Sequence, residues 1–147
     1  MLFSTFRSLL KEIFMSSSFS AEKIVFFDGV CGLCNRFVDF LLRKKPDSKI
    51  KFAALQGDTA AALHIKDLNV DSIVYFDRGT LLVKSDAVLA IFKELGGWYR
   101  YFYFLGIFPK FLRDFFYDIV ARNRYAVFGK RAACRLPSAD ERQRFLN

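Results

Sequence analysis

Two cysteines and an acid within one short stretch carry the chemistry available to this chain: Asp28, Cys31 and Cys34 in Ile24-Val25-Phe26-Phe27-Asp28-Gly29-Val30-Cys31-Gly32-Leu33-Cys34. Thiols three residues apart on a helical turn lie within reach of one another and can close as a disulfide. Such a dithiol cycles through a mixed disulfide with a second molecule, and the thiolate is the nucleophile. Cys31 lies nearer the loop and is expected to be the exposed attacking thiol. Cys34 is expected to resolve the mixed disulfide. Asp28 has two readings. Raised in pKa by burial, its carboxyl can accept and return the Cys34 proton. Alternatively it caps an Asx-type turn ahead of Gly29, and an asparagine would then serve nearly as well. C-x-x-C is also half of a zinc site, but the other candidates, Cys134 and His64, are distant and form no second pair at metal spacing.

The surrounding pattern must hold these groups in place. Four consecutive large apolar residues, Ile24 to Phe27, fit a strand buried on both faces of a sheet. Leu33, Phe37, Val38, Leu41 and Leu42 then recur at helical spacing, and Pro46 ends the helix. The cysteines therefore sit where a buried strand turns into a helix. Its first-turn amides lack partners and, with the helix dipole, favour an anion, so a thiol there ionises more readily than a free cysteine.

Downstream, Ile50 to Leu55 reads as a strand. Gln56 to Asp67 holds an alanine-rich helix capped by Asp58 or Thr59, with His64 as a solvated side chain. Ser72 to Phe76 and Thr80 to Lys84 form a hairpin around Asp77-Arg78-Gly79. Ser85 or Asp86 caps a helix with Ala87, Val88, Ile91, Phe92 and Leu95 on its apolar face, stopped at Gly96-Gly97. The order is that of a thioredoxin-like α/β fold, a four-stranded mixed sheet with flanking helices. One departure concerns Asn69-Val70-Asp71-Ser72. Thioredoxins place a cis-proline there, facing the thiols. A cis bond without proline costs about 3–4 kcal/mol, so a trans peptide and a different substrate-docking edge are expected.

From about residue 98 the chain becomes an aromatic-rich helical extension. Trp98 to Pro109 is densely aromatic, and Phe111, Leu112, Phe115, Phe116, Ile119 and Val120 form a helical stripe opposed by Lys110, Arg113, Asp114 and Asp118. Both segments are expected to pack as helices against the sheet and the cysteine helix. The alternative is a membrane or partner surface. Arg122, Arg124, Lys130, Arg131 and Arg135 form a basic run, read as a solvated face or an anion-recognition site. Cys134 is a semi-buried spectator or a third redox thiol. Ser138 and Glu141 make a capping box for a short helix ending near Phe145.

Asp28, Cys31 and Cys34 give D-x-x-C-x-x-C after an apolar strand, and this resembles the DCC family of thiol-disulfide oxidoreductases. Shorter matches accompany it: Ala54-Leu55-Gln56, Ser85-Asp86-Ala87, Ile119 to Tyr125, and Phe128-Gly129 followed by Cys134. The resemblance covers roughly Lys23 to Leu136. It implies a thioredoxin-like core and a dithiol-disulfide exchange enzyme of the protein-disulfide reductase type, with Cys31, Cys34 and Asp28 as its site. No bound cofactor or metal is implied. The partners would be a disulfide-bearing protein or small thiol substrate and an electron-donor dithiol or glutathione.

At 147 residues, 53% of them hydrophobic, the chain can bury one real core. The expected organisation is an extension at 1–22, amphipathic to Phe14 and then serine-rich, and a single domain at 23–147. The net charge of +8 admits anionic partners. No recognition-helix or RNA-binding signature accompanies it, so nucleic acid is not expected. Three cysteines, an odd count, argue against a secreted disulfide scaffold and for a reducing compartment such as the cytoplasm. Residues 1–14 are too short and too interrupted to span a bilayer; they would serve as an organelle-targeting or peripheral membrane segment, or a plain extension, with Met15 as an alternative start. The rival to the enzyme reading is a basic, aromatic-rich binding module at a membrane or protein surface; a metal-binding protein comes third.

Overall fold

The computed structural model describes residues 22–44, 48–68, 72–130 and 136–146. The N-terminal segment, Pro46, Asn69-Val70-Asp71, Arg131, Cys134 and Arg135 lie outside these. Strand β1 (Lys23–Phe27) leads into helix α1 (Gly32–Lys44), strand β2 (Ile50–Ala54) and the short helix α2 (Asp58–Ala62). Strands β3 (Val74–Asp77) and β4 (Thr80–Val83) precede helix α3 (Lys84–Leu95). A 3-10 segment (Gly97–Ile107) then connects to the long helix α4 (Lys110–Phe128). The thioredoxin-like order of strands and helices is present, with a helical C-terminal part.

The sheet runs β4-β3-β1-β2-β5, with β1 parallel to β2 and antiparallel to β3. Because β1 is central, alternate residues serve two cores. Val25 and Phe27 face α1 and α3 with Val38, Leu41, Phe52 and Ile91, whereas Ile24 and Phe26 face the other layer with Ala60, Ile65 and Phe76. All four strand residues are at most 1% exposed, which is why the sequence there is continuously apolar rather than alternating. Arg78 and Gly79 both take positive φ, 48° and 89°, the pairing a two-residue hairpin needs to follow the strand twist.

The sheet has a fifth strand where a four-stranded one was expected. Glu141 accepts from Ser138 N–H (3.0 Å), the expected capping-box contact, but the turn rolls into a single 3-10 turn at Arg142–Arg144 instead of a helix. Phe145–Leu146 (β5) then pairs parallel with β2. Arg144 fixes this edge by donating to Ile50 O (3.2 Å) and Ser48 Oγ (2.7 Å), and Phe145 packs against Phe27 and Phe52. Two residues are too short a strand to show a period.

The expected helix caps differ as well. Gly57 precedes α2 and Val83 precedes α3, with no side-chain cap at either. Asp58 and Thr59 lie inside α2, which stops after five residues. Ser85 and Asp86 fall in the first turn of α3 and point to α4: Ser85 donates to Asp114, while Arg113 (2.9 Å) and Lys110 pair with Asp86. These ties explain the largest departure. The apolar stripe of α4 does not pack inward: Phe111, Phe115 and Phe116 are 76%, 60% and 60% exposed. The 3-10 segment buries no residue fully, although Tyr99 and Phe102 stack on Phe92 of α3.

Candidate active site

Helix α1 begins at Gly32, and its first intrahelical bond, Asn35 N–H to Cys31 O (3.1 Å), makes Cys31 the capping residue. A capping side chain accepts from the amide three residues on, usually through a serine or aspartate oxygen. Here the acceptor is sulfur: Cys34 N–H donates to Cys31 Sγ (3.4 Å). The orphan amide at the helix start is thus aimed at one thiol, the contact that stabilises negative charge there once it forms. Asn35, fully buried, holds the turn beneath it by donating to Gly29 O (2.9 Å) and Cys31 O (2.7 Å).

Both thiols are buried, Cys31 at 0% and Cys34 at 4% exposure. The expectation of an exposed Cys31 is therefore corrected. The cause is the end of α4, which lies over the turn. Gly32 N–H donates to Gly129 O (3.2 Å), and Cys31 pairs with Lys130 as an isolated antiparallel bridge. Gly32 permits this approach, since a Cβ there would sit 2.2 Å from the Phe128 carbonyl oxygen. Burial, and then the neighbouring Cys31, push the Cys34 thiol up to about 12; the Asp28 main chain and the Arg124 charge act against them.

Four donors surround the Asp28 carboxylate. Val30 N–H (3.1 Å) and Gln56 Nε2 (3.0 Å) share Oδ1, which is the Asx-type turn, while Arg124 Nη2 (3.3 Å) and the Tyr125 hydroxyl share Oδ2. Asp28 and Arg124 are each 5% exposed, so this is a buried ion pair between the end of β1 and the end of α4. Burial alone would lower the Arg124 guanidinium, but Tyr125 and the two nearby sulfurs, Cys31 and Cys34, raise it. Arg124 thus leaves the solvated basic run expected of it, and the anion it recognises is the chain's own Asp28. Lys130, also of that run, is exposed and lies over the Tyr125 ring.

The opposite flank of the dithiol is apolar. A cavity of about 620 Å³ lies between α1, α3 and α4, lined by Cys34, Leu33, Phe37, Phe92, Leu112 and Phe116 among others. Its size falls in the range of small-molecule sites. The backbone ahead of β3, where a thioredoxin would dock substrate, is taken from within: Ile73 N–H donates to the Tyr117 hydroxyl (3.2 Å). Burial pushes the Tyr117 phenol up. His64 is exposed beside Asp67 (3.1 Å) on the far layer. Asn35 and Tyr117 carried no sequence signal of a role. Gln56, Arg124 and Tyr125 stood in the short stretches of the family resemblance, and Arg124 also in the basic run.

Residues 25–130 match the family model described as DCC1-like thiol-disulfide oxidoreductase. The chain is 38% identical over 136 residues to a Bacillus subtilis protein named as the uncharacterized protein YuxK, covering 90% of this chain and 99% of that one. It is also 38% identical over 128 residues to a chloroplastic DCC family protein of Arabidopsis thaliana, covering 82% of this chain and 74% of that one. No solved structure matches it significantly.

Two outcomes follow from this geometry. Asp28→Asn keeps the turn acceptor but leaves Arg124 buried without its counter-charge, so urea or thermal unfolding should show a loss of about 3–5 kcal/mol, the scale for breaking a buried pair; a near-silent Asn would return Asp28 to a mere turn cap. Gly32→Ala forces the Phe128–Gly129 backbone off the turn. Alkylation of Cys31 by iodoacetamide, mapped by mass spectrometry, should then accelerate at least about tenfold, because burial no longer limits access. An unchanged rate would show that the end of α4 does not control that thiol.

Proposed function

Since the chain belongs to the DCC1-like thiol-disulfide oxidoreductase family, we propose that it exchanges a dithiol for a disulfide through Cys31 and Cys34 in the manner of a protein-disulfide reductase. The observation that carries this reading is the helix-start amide of Cys34 held on Cys31 Sγ (3.4 Å). Cys31 is the nucleophile. Its thiolate attacks one sulfur of the substrate disulfide, forming a mixed disulfide and releasing the other sulfur as a thiolate. Cys34 then attacks Cys31 Sγ. The substrate sulfur leaves and takes up the Cys34 proton, and a Cys31–Cys34 disulfide remains. Two electrons have passed to the substrate, and a donor dithiol or glutathione returns them.

The buried groups divide the work. The Arg124 charge acts against the rise of the Cys34 thiol, so it favours the Cys34 thiolate that closes the mixed disulfide. Asp28 is a positioning residue in this scheme: it holds the turn through Val30 and Gln56, and it holds Arg124 beside the thiols. Its carboxylate is engaged by these donors, so proton transfer to Asp28 is not part of the reading.

Insulin-disulfide reduction tests the proposal. Cys31→Ser should abolish it, and Cys34→Ser should accumulate a mixed disulfide visible by mass spectrometry; full activity of Cys31→Ser would end the reading. A pH dependence follows from the Cys34 thiol at about 12. Below that value only a small thiolate fraction is present, and it rises about tenfold per pH unit. Burial, the largest cause of that rise, remains when Cys31 is in the mixed disulfide, although the Cys31 contribution is lost, so closure followed by stopped flow should still speed up several-fold per unit from pH 7 to about pH 9. A plateau near pH 8 would show that another group takes the Cys34 proton.

A further inference from the structure

Among the described residues, thirteen of the sixteen exposed large apolar side chains fall between Trp98 and Val127. With aromatic side chains offering about 150–250 Å² each, these amount to roughly 1,000 Å² of apolar surface on one stretch, more than the few hundred Å² usual on a monomer. Helix α4 is reversed relative to an ordinary surface helix. Arg113, Tyr117 and Arg124 are turned to the protein, and Phe111, Phe115 and Ile119, four residues apart on one stripe, are turned out.

The charge on this stretch indicates what covers it. Between Gly96 and Ser138 the sequence holds eight Lys and Arg against two Asp. Both acids are held by the protein: Asp114 by Ser85 and Lys110 (3.5 Å), Asp118 by Lys84 (3.1 Å). Three of the cations are held in the same way, Lys110 and Arg113 by Asp86 and Arg124 by Asp28, whereas Arg100, Arg122 and Lys130 are exposed on this stretch. A second copy would bring cations of the same sign onto this surface. A layer with an apolar interior and anionic headgroups matches both features, and tyrosine and tryptophan favour its boundary.

We propose that the α4 stripe and the aromatic 3-10 segment form a docking face for an anionic lipid bilayer, with the aromatic side chains at acyl depth and the flanking cations on the headgroups. No step of the exchange chemistry is needed for this inference. The mouth of the cavity beside Cys34 includes Leu105, Phe108, Phe116 and Val120, all of this face, so docking turns the cavity toward the lipid.

Trp98 is the chain's single tryptophan and is 64% exposed, so it reports on the face directly. Full-length protein should co-sediment with vesicles of phosphatidylcholine containing about one-third phosphatidylglycerol, and at least about tenfold more weakly with phosphatidylcholine alone, because the cations lose their counter-charge. Brominated acyl chains should quench Trp98 and shift its emission to the blue. Phe111→Ser/Phe115→Ser should lower vesicle affinity about tenfold or more, with thermal melting unchanged because both rings are outside the core. Arg122→Glu should weaken binding to anionic vesicles only. Absence of vesicle binding overturns the proposal. So does binding without Trp98 quenching, which would place the contact elsewhere, for example at residues 1–14. Concentration-dependent self-association that the double substitution abolishes also overturns it, because the face would then belong to a second copy.

Discussion

A carboxylate at the end of the first strand and a guanidinium ninety-six residues later meet out of water. Asp28 and Arg124 are each almost completely buried, and each alone in that place would be an uncompensated charge. Desolvating two ions offsets most of their attraction, so the pair adds little to net stability and acts instead as a strong constraint. It decides where the last helix lies and which side of that helix faces inward. Arg113 on Asp86 and Tyr117 on Ile73 lie on the same inner side. Once that polar side is committed to the protein, the phenylalanine stripe has no place but the outside. The buried site and the apolar exterior are two results of one geometric requirement.

The same constraint shapes the thiols. With Arg124 fixed, the following residues run over the turn that carries Cys31, and Gly32 supplies the space for backbone to meet backbone. Cys31 takes the capping position of α1 and Cys34 presents its amide, so the local sequence supplies the electrostatics of the first thiol. The second thiol is set by burial, which keeps it protonated.

Elements whose signal is local were legible in the sequence. The four apolar residues before Asp28 announce a strand buried on both faces, and Arg78-Gly79 announces a tight hairpin. The period after Cys34 gives α1. What the sequence hid is non-local. Arg124 looks like one more member of a basic run, because its partner is nearly a hundred positions away. The stripe Phe111 to Val120 has the period of an inward-facing helix, and periodicity cannot tell which side of a helix the protein chooses. That choice is made by Arg113 and Arg124, which read as solvated groups, and by Tyr117, which carried no signal. β5 escapes for a simpler reason, since two residues carry no pattern, and the sulfur cap of α1 resembles no standard capping signature.

A thiol with no exposed surface reacts only when its cover moves. Any rate measured at Cys31 is then the product of an opening equilibrium and an intrinsic exchange rate. If opening costs about 3 kcal/mol, every bimolecular encounter at that sulfur is slowed by roughly two orders of magnitude, whatever the attacking molecule. Small oxidants and bystander disulfides meet that factor in full, whereas a molecule that itself binds the opened form recovers it from its own binding energy. Under the proposed exchange reaction, the strand-like contact of Lys130 with Cys31 would filter reaction partners by their affinity for the open state before any sulfur chemistry begins.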